Sequence, residues 1–294
     1  MGISRQQALD CFRSDDLVGI GMEADAVRRR LHPEGVVSYA IDATLAWPAT
    51  GAVDAFYLAI DDAVAAGATG VRLVGRPDGD GIEMLLRGMR RRFPALWIEA
   101  LSAAEVRSIA AGWGMALPEA IAQLKAAGLD TIAGDGPDLR ESLEEWVELH
   151  RAAHRAGMRT VARMTFGAGE TLEQRVDFLE AVARLQEETG GFAAFAPVAA
   201  EAANGRALDG VTAVERLKTL AISRMFLDNI ENVQASGSAQ GLKVLQMGLR
   251  FGGNDVGPVS LERGGSEEDV RRIIRDAGFR PAQRDMAYAA MMLG

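Results

Sequence analysis

The chain has 294 residues, 48% hydrophobic and 25% charged, which is enough to bury one large core and suits a single α/β barrel as well as two smaller domains. Its 32 basic and 41 acidic residues leave a net charge of −9, which repels a polyanion, so nucleic acid is not an expected partner. No apolar run approaches the roughly 18 residues of a membrane helix and no basic, apolar leader opens the sequence, so a cytoplasmic protein without membrane association is expected.

Ser4 with Gln7 reads as a capping box opening a first helix, and a second apolar-periodic stretch over 17–31 stops at His32-Pro33. These form an N-terminal helical extension, residues 1–35. The lone Cys11 falls in the first of them, where a buried small hydrophobe is a better reading than a reactive thiol; it can form no internal disulfide. From Val36 onward, β-rich runs at 36–42, 70–75, 96–101, 130–134, 159–167, 192–198, 232–237 and, more weakly, 251–257 alternate with longer helical stretches. Capping boxes at Ser102/Glu105, Thr171/Gln174 and Thr212/Glu215, with glycines just past the periodic runs, supply helix starts and stops.

Eight strand–helix units after a helical lead-in predict a (β/α)8 TIM-type barrel over 36–294, a single domain overall, with any functional site on the loops after the strands. No G-x-G-x-x-G follows the first strand, and no G-x-S-x-G, H-E-x-x-H or P-loop motif is present. His150 and His154 share a helix face within a stretch expected to be helical over 137–156, but away from the expected mouth, so no metal site is assigned to them. Met286, Met291 and Met292 are read as adaptable packing in the C-terminal tail.

Three charges interrupt apolar strand runs: Arg72 in GVRLVG, Glu99 in LWIEAL and Arg163 in TVARMTF. Alternation puts Arg163 with Val161 and Thr165 on one face and the bulkier Met164 and Phe166 on the other, so Arg163 is expected to face the barrel interior. A buried charge costs several kcal/mol unless paired. The three therefore predict either an internal ion-pair cluster or a floor that binds a carboxylate or phosphate, and their count of two cations to one anion would leave one guanidinium for such a ligand.

Several segments carry a family resemblance: ISRQQALD at 3–10, GVVSYAID at 35–42, AGLDTIAGDG at 127–136, AHRAGMRTVARMTFGAGET at 153–171, LQEETGGFAAFAP at 185–197, LAISRMFLDNIENVQASGSAQGLKVLQMGLRFGGNDV at 220–256 and IRDAGFRPAQRD at 274–285. Together they resemble the radical S-adenosylmethionine enzymes of the futalosine route to menaquinone, the family of cyclic dehypoxanthine futalosine synthase, over nearly the whole chain. The resemblance implies a [4Fe–4S] cluster held by C-x-x-x-C-x-x-C after the first strand. The corresponding stretch here is ATGAVDAF, 49–56, with no cysteine.

A [4Fe–4S] cluster is therefore not expected, and S-adenosylmethionine binding is put in doubt. Further departures from the family pattern fall at Val74-Gly75-Arg76, Glu99, Arg163 and the stretch 198–205. Positions matching the family's mouth-facing motifs are Asp42, Glu170, Gln234, Ser236, Asn254 and Asp255, the expected contacts of a nucleoside-like or anionic ligand together with Arg72 and Arg163. Two readings follow. One is a cluster-less homologue that binds a ligand or a catalytically complete paralogue; the other is a barrel enzyme using Glu99, Glu170 or Asp255 as general acid or base.

Overall fold

The computed structural model describes residues 2–49, 51–75, 81–133, 136–137, 139, 143–200, 211–235, 241–260, 267–289 and 291–293. Helices α1 (Arg5–Arg13) and α2 (Leu17–Leu31) come first, each started by a side-chain cap: the Ser4/Gln7 box, and Asp16 accepting from the Gly19 N–H. They pack outside the strands, on α8 (Leu172–Thr189) and α9 (Ala213–Phe226). Arg5 pairs with Asp177 at 2.5 Å, and Lys218 donates to the Phe12 carbonyl at 3.2 Å. Among the described residues no helix is long and apolar enough to cross a membrane.

Parallel strands and helices then alternate. β1 (Val36–Ala46), β2 (Gly70–Val74), β3 (Trp97–Ala100) and β4 (Thr131–Ile132) pair in that order, and β1 also pairs with β8 (Asp255–Ser260). β5 (Thr160–Phe166), β6 (Phe192–Ala199) and β7 (Asn232–Val233) form a second parallel sheet. The two sheets meet at β7 and β8, where Gln234 bridges Asp255 and the Asn254 N–H donates to the Val233 carbonyl. At the other seam no ladder joins β4 to β5 among the described residues. Instead Thr131 Oγ1 donates to the Arg159 carbonyl at 2.8 Å, and Gly136 lies so close to β5 that a Cβ there would come within 2.5 Å of the Arg163 carbonyl oxygen. The strands thus follow barrel order around a common interior, and among the described residues a side chain and a close glycine, not a ladder, link the two sheets at this seam.

Between them lie α3 (Val53–Ala65), α4 (Ile82–Arg92), α5 (Ala103–Trp113), α6 (Leu117–Ala127), α7 (Glu144–Arg155), α10 (Leu242–Gly248) and α11 (Glu267–Asp276). The core forms where their apolar stripes meet the outward strand faces: Ile60, Leu86, Met89, Ile121, Leu124 and Leu179 are each fully shielded from water. Three expectations need correction. The helix expected over 137–156 is described only from Glu144. The eighth strand begins at Asp255, because residues 251–254 are a tight turn in which Gly252 takes φ +98° and the Gly253 N–H reaches back to the Gly248 carbonyl.

The third is the C-terminal tail, which is a hairpin. β9 (Arg280–Arg284) runs parallel to the first four residues of β1, and β10 (Met291–Leu293) returns antiparallel to it. RPAQR has a proline and no β-branched residue, so local propensity argued against a strand. Pairing with β1 overrides it. Because β9 meets β1 at Val36–Tyr39, the hairpin lies across the N-terminal end of the barrel.

The two helical histidines pack inward, with Trp146 and Phe192 around them. Thr189 Oγ1 donates to the Leu185 carbonyl, so it must accept from His154 Nδ1 at 2.7 Å; His154 Nε2 then accepts from Thr160 Oγ1 at 2.9 Å, which in turn accepts from His150 Nδ1 at 2.9 Å. Both rings are neutral in this chain of bonds. Burial pushes His150 down to about 3 and His154 to about 4. With folded values below the unfolded 6.5, their contribution is complete above that pH and is lost as pH falls toward 4. Urea unfolding at pH 5 should show a loss of up to about 2 kcal/mol per histidine relative to pH 7, and His150→Phe should make the pH dependence shallower.

Candidate functional site

The barrel interior is built from alternate residues of its strands. Val161 and Arg163 point inward while Ala162 and Met164 join the core beneath the helices, as alternation in β5 requires. Arg72 and Glu99 are register partners on β2 and β3, which brings Arg72 Nε within 3.0 Å of Glu99 Oε1. From across the interior Arg163 NH1 donates to the same oxygen at 3.1 Å. Asp42 on β1, 2% exposed, adds a second carboxylate, 3.9 Å from Arg72 NH2.

Two carboxylates therefore face two guanidiniums. The count taken from the sequence omitted Asp42, which stands beside Arg72 and adds a second carboxylate to the cluster. Burial alone would raise the Glu99 carboxyl; Arg72 and Arg163 outweigh it and hold the pKa below its usual value. Toward the base, the interior holds a cavity of about 20 Å³, room for a water molecule or two, lined by Trp97, Glu99, Thr131, Arg163, Arg284 and Tyr288 among others.

The other candidates are held by the fold. Asp255, expected at the mouth, sits at the start of β8 opposite Ser38, toward the barrel base. It is fully buried and accepts from Arg284 Nε at 2.6 Å and NH2 at 2.9 Å, from Ser38 Oγ at 2.5 Å, from the Gly257 N–H at 2.7 Å and from the Tyr288 hydroxyl at 3.1 Å. Burial would lower the Arg284 pKa, but Asp255 more than reverses this and raises it. Gln234 donates to the Tyr288 hydroxyl at 2.7 Å. Asn254 accepts from Arg224 NH2 at 2.5 Å and the Val233 N–H at 2.9 Å and donates to Asn232, which satisfies its amide.

Glu170 does lie after β5, yet its carboxylate folds back on its own loop, accepting from the Gly167 and Ala168 N–H groups at 2.7 and 2.9 Å and from Arg175 Nε at 2.7 Å. Burial would raise its pKa, while the Gly167 N–H and Arg175 leave it lowered. Ser236, Arg76 and most of the stretch 198–205 lie outside the described residues. Sequence reasoning missed Arg284 and Tyr288. No local pattern marks them, since only the β9 pairing carries Arg284 to Asp255.

A [4Fe–4S] cluster needs three thiolates at one place. Cys11 is the sole cysteine, on α1 outside the strands, and the described residues between β1 and α3 (Trp47, Pro48, Ala49, Gly51, Ala52) contain no donor side chain suited to iron. Among the described residues no group of three or more His, Cys, Asp or Glu side chains is placed to hold a metal ion. The residues present do not fit the cluster.

Because Arg284 is the buried counter-ion of a buried carboxylate, Arg284→Met should destabilise the fold by roughly 3–5 kcal/mol, leaving Asp255 unpaired. Adding Asp255→Asn should recover part of that loss, in urea unfolding curves at pH 7.

Comparison with known proteins agrees with this architecture. Residues 190–293 match the family model described as the CofH/MqnC C-terminal region. Cyclic dehypoxanthine futalosine synthase of Streptomyces coelicolor is 32% identical over 99% of this chain and 86% of its own length, and that of Halalkalibacterium halodurans is 30% identical over 97% and 90%. Aminodeoxyfutalosine synthase of Thermus thermophilus is 28% identical over 92% and 78%. In fold the chain is similar to methylornithine synthase PylB, at a TM-score of 0.67 and 13% identity over 96% of this chain and 95% of that one. It is likewise similar to the hydrogenase maturase HydG of Carboxydothermus hydrogenoformans, at 0.68 and 13% over 98% and 79%. With about a third of its residues shared along almost its full length, this chain belongs to the radical SAM family of the futalosine pathway, the family of cyclic dehypoxanthine futalosine synthase.

Proposed function

We propose that this chain is a cluster-less member of that family which has lost radical SAM catalysis and serves as a binding or auxiliary protein in menaquinone biosynthesis by the futalosine route. The observation that carries the reading is the barrel interior: no thiolate set faces it, and Asp42, Arg72, Glu99 and Arg163 place paired charge across it, with a cavity of about 20 Å³ beside Glu99 and Arg163. With that charge layer across the interior, a nucleoside-like or anionic ligand would be held nearer the loops after the strands, and a catalytically complete paralogue is the partner this reading favours.

The acid–base alternative needs a carboxylate open to a pocket. Glu170 and Asp255 are taken up by arginine and backbone donors, and Glu99, although it lines the cavity, is held ionised by Arg72 and Arg163, so no observation favours it. Protein produced anaerobically with iron and sulfide should carry far less than one cluster per chain by iron and acid-labile sulfide assay; a stoichiometric cluster would overturn the reading. In thermal unfolding, dehypoxanthine futalosine at about 100 times its dissociation constant should add about 2.7 kcal/mol, a shift of several degrees, with S-adenosylmethionine giving none. Turnover of that nucleoside by the purified chain would also sink the proposal.

A further inference from the structure

The turn that joins β9 to β10 sits at the N-terminal end of the barrel and is held unlike the strands around it. Tyr288 takes φ +59°, a left-handed backbone that costs an aromatic residue energy and persists only where contacts impose it. Its hydroxyl supplies those contacts. It accepts from Gln234 Nε2 at 2.7 Å and Arg284 NH2 at 2.9 Å and donates to Asp255 Oδ1 at 3.1 Å, which uses its full hydrogen-bonding capacity. The other polar contacts of 285–289 with the barrel are few among the described residues: the Ala287 carbonyl accepts from Arg159 NH1 at 3.2 Å and the Asp285 carbonyl from Arg284 NH1 at 2.9 Å. Beyond the turn, β10 pairs with β9 alone among the described residues. We propose that residues 285–289 form a plug that withdraws from the barrel base while the barrel stays folded, and that the Tyr288 hydroxyl is the latch that holds it shut.

Withdrawal has a defined consequence. Met286 and Tyr288 are part of the lining of the base cavity, with Glu99, Arg163 and Ala193 from the strands, so moving the turn opens that cavity to solvent. It also removes the acceptor of the Gln234 side-chain amide, at the bridge between Gln234 and Asp255. Arg284 belongs to β9 and remains paired with Asp255, so the buried carboxylate keeps its counter-ion with the plug out. The ladder of β9 with β1 is likewise untouched, while the left-handed strain at Tyr288 is released. This opening is independent of the auxiliary role proposed above.

Hydrogen exchange of the whole chain, followed by mass spectrometry in a urea series below the unfolding transition, reads the opening. The amides of β10 should exchange at least about tenfold faster than those of β1 and with little dependence on urea, the mark of a local opening. Tyr288→Phe keeps the ring and the strained backbone and removes the latch. Because the hydroxyl's bonds are lost both in the open form and in the unfolded chain, this variant should speed β10 exchange by the same factor by which it raises the unfolding equilibrium constant, about tenfold or more. Three results would overturn the proposal: β10 exchange with the urea dependence of β1, a Tyr288→Phe chain as stable as the native one, or β10 exchange unchanged in Tyr288→Phe while global stability falls, as simple fraying of the strand would leave it. Access to the cavity is read with Cys11→Ser/Ala193→Cys, since position 193 lines it. Methyl methanethiosulfonate should modify that thiol with weak urea dependence and faster when Tyr288→Phe is added; modification that requires global unfolding, or that Tyr288→Phe leaves unchanged, would equally overturn the plug. If Ala193→Cys does not fold, the exchange result decides alone.

Discussion

A charge placed in the interior of a barrel of strands must find its opposite there, because burial without a partner costs several kcal/mol. The rest of this structure follows from that constraint. Asp42, Arg72, Glu99 and Arg163 balance one another in mid-barrel, and Asp255 with Arg284 balances the base. Strands from both sheets and the C-terminal hairpin each supply one side of these pairs. Two of these pairs, Glu99 with Arg163 and Asp255 with Arg284, tie together strands that share no ladder among the described residues.

The same constraint shapes what the barrel can do. Carboxylates that would otherwise be candidates for acid–base work are stabilised in their ionised form by adjacent guanidiniums, as Glu99 and Glu170 show. Charged side chains from β1, β2, β3 and β5 occupy part of the interior. The scaffold belongs to a radical SAM family, yet the donor chemistry that a cluster requires is missing from the place where β1 hands over to α3.

Elsewhere the chain retains a demanding structural core. Arg224, on α9, is wholly buried without a carboxylate, and burial lowers its pKa to about 9. It is satisfied by the carbonyls of Gly252, Ile230 and Glu231 and by Asn254. That hub fixes α9, the turn before β8 and the β7–β8 junction in one arrangement. It also explains why Asn254, which sequence comparison with the family suggests as a ligand contact, is a structural residue here.

The sequence by itself determined the repeating strand–helix pattern, the capping boxes, the inward facing of Arg163 and the lack of any thiolate set, because periodicity, short-range hydrogen bonding and composition are local properties. It left open whether Arg72, Glu99 and Arg163 meet one another, and it placed Asp255 at the mouth. Only the tertiary structure brought the three together and set Asp255 at the start of β8. Asp42 joins the cluster through strand register, and Arg284 meets Asp255 because β9 pairs with the start of β1 despite weak strand propensity. Contacts between residues far apart in the chain depend on register and closure, which no local pattern encodes.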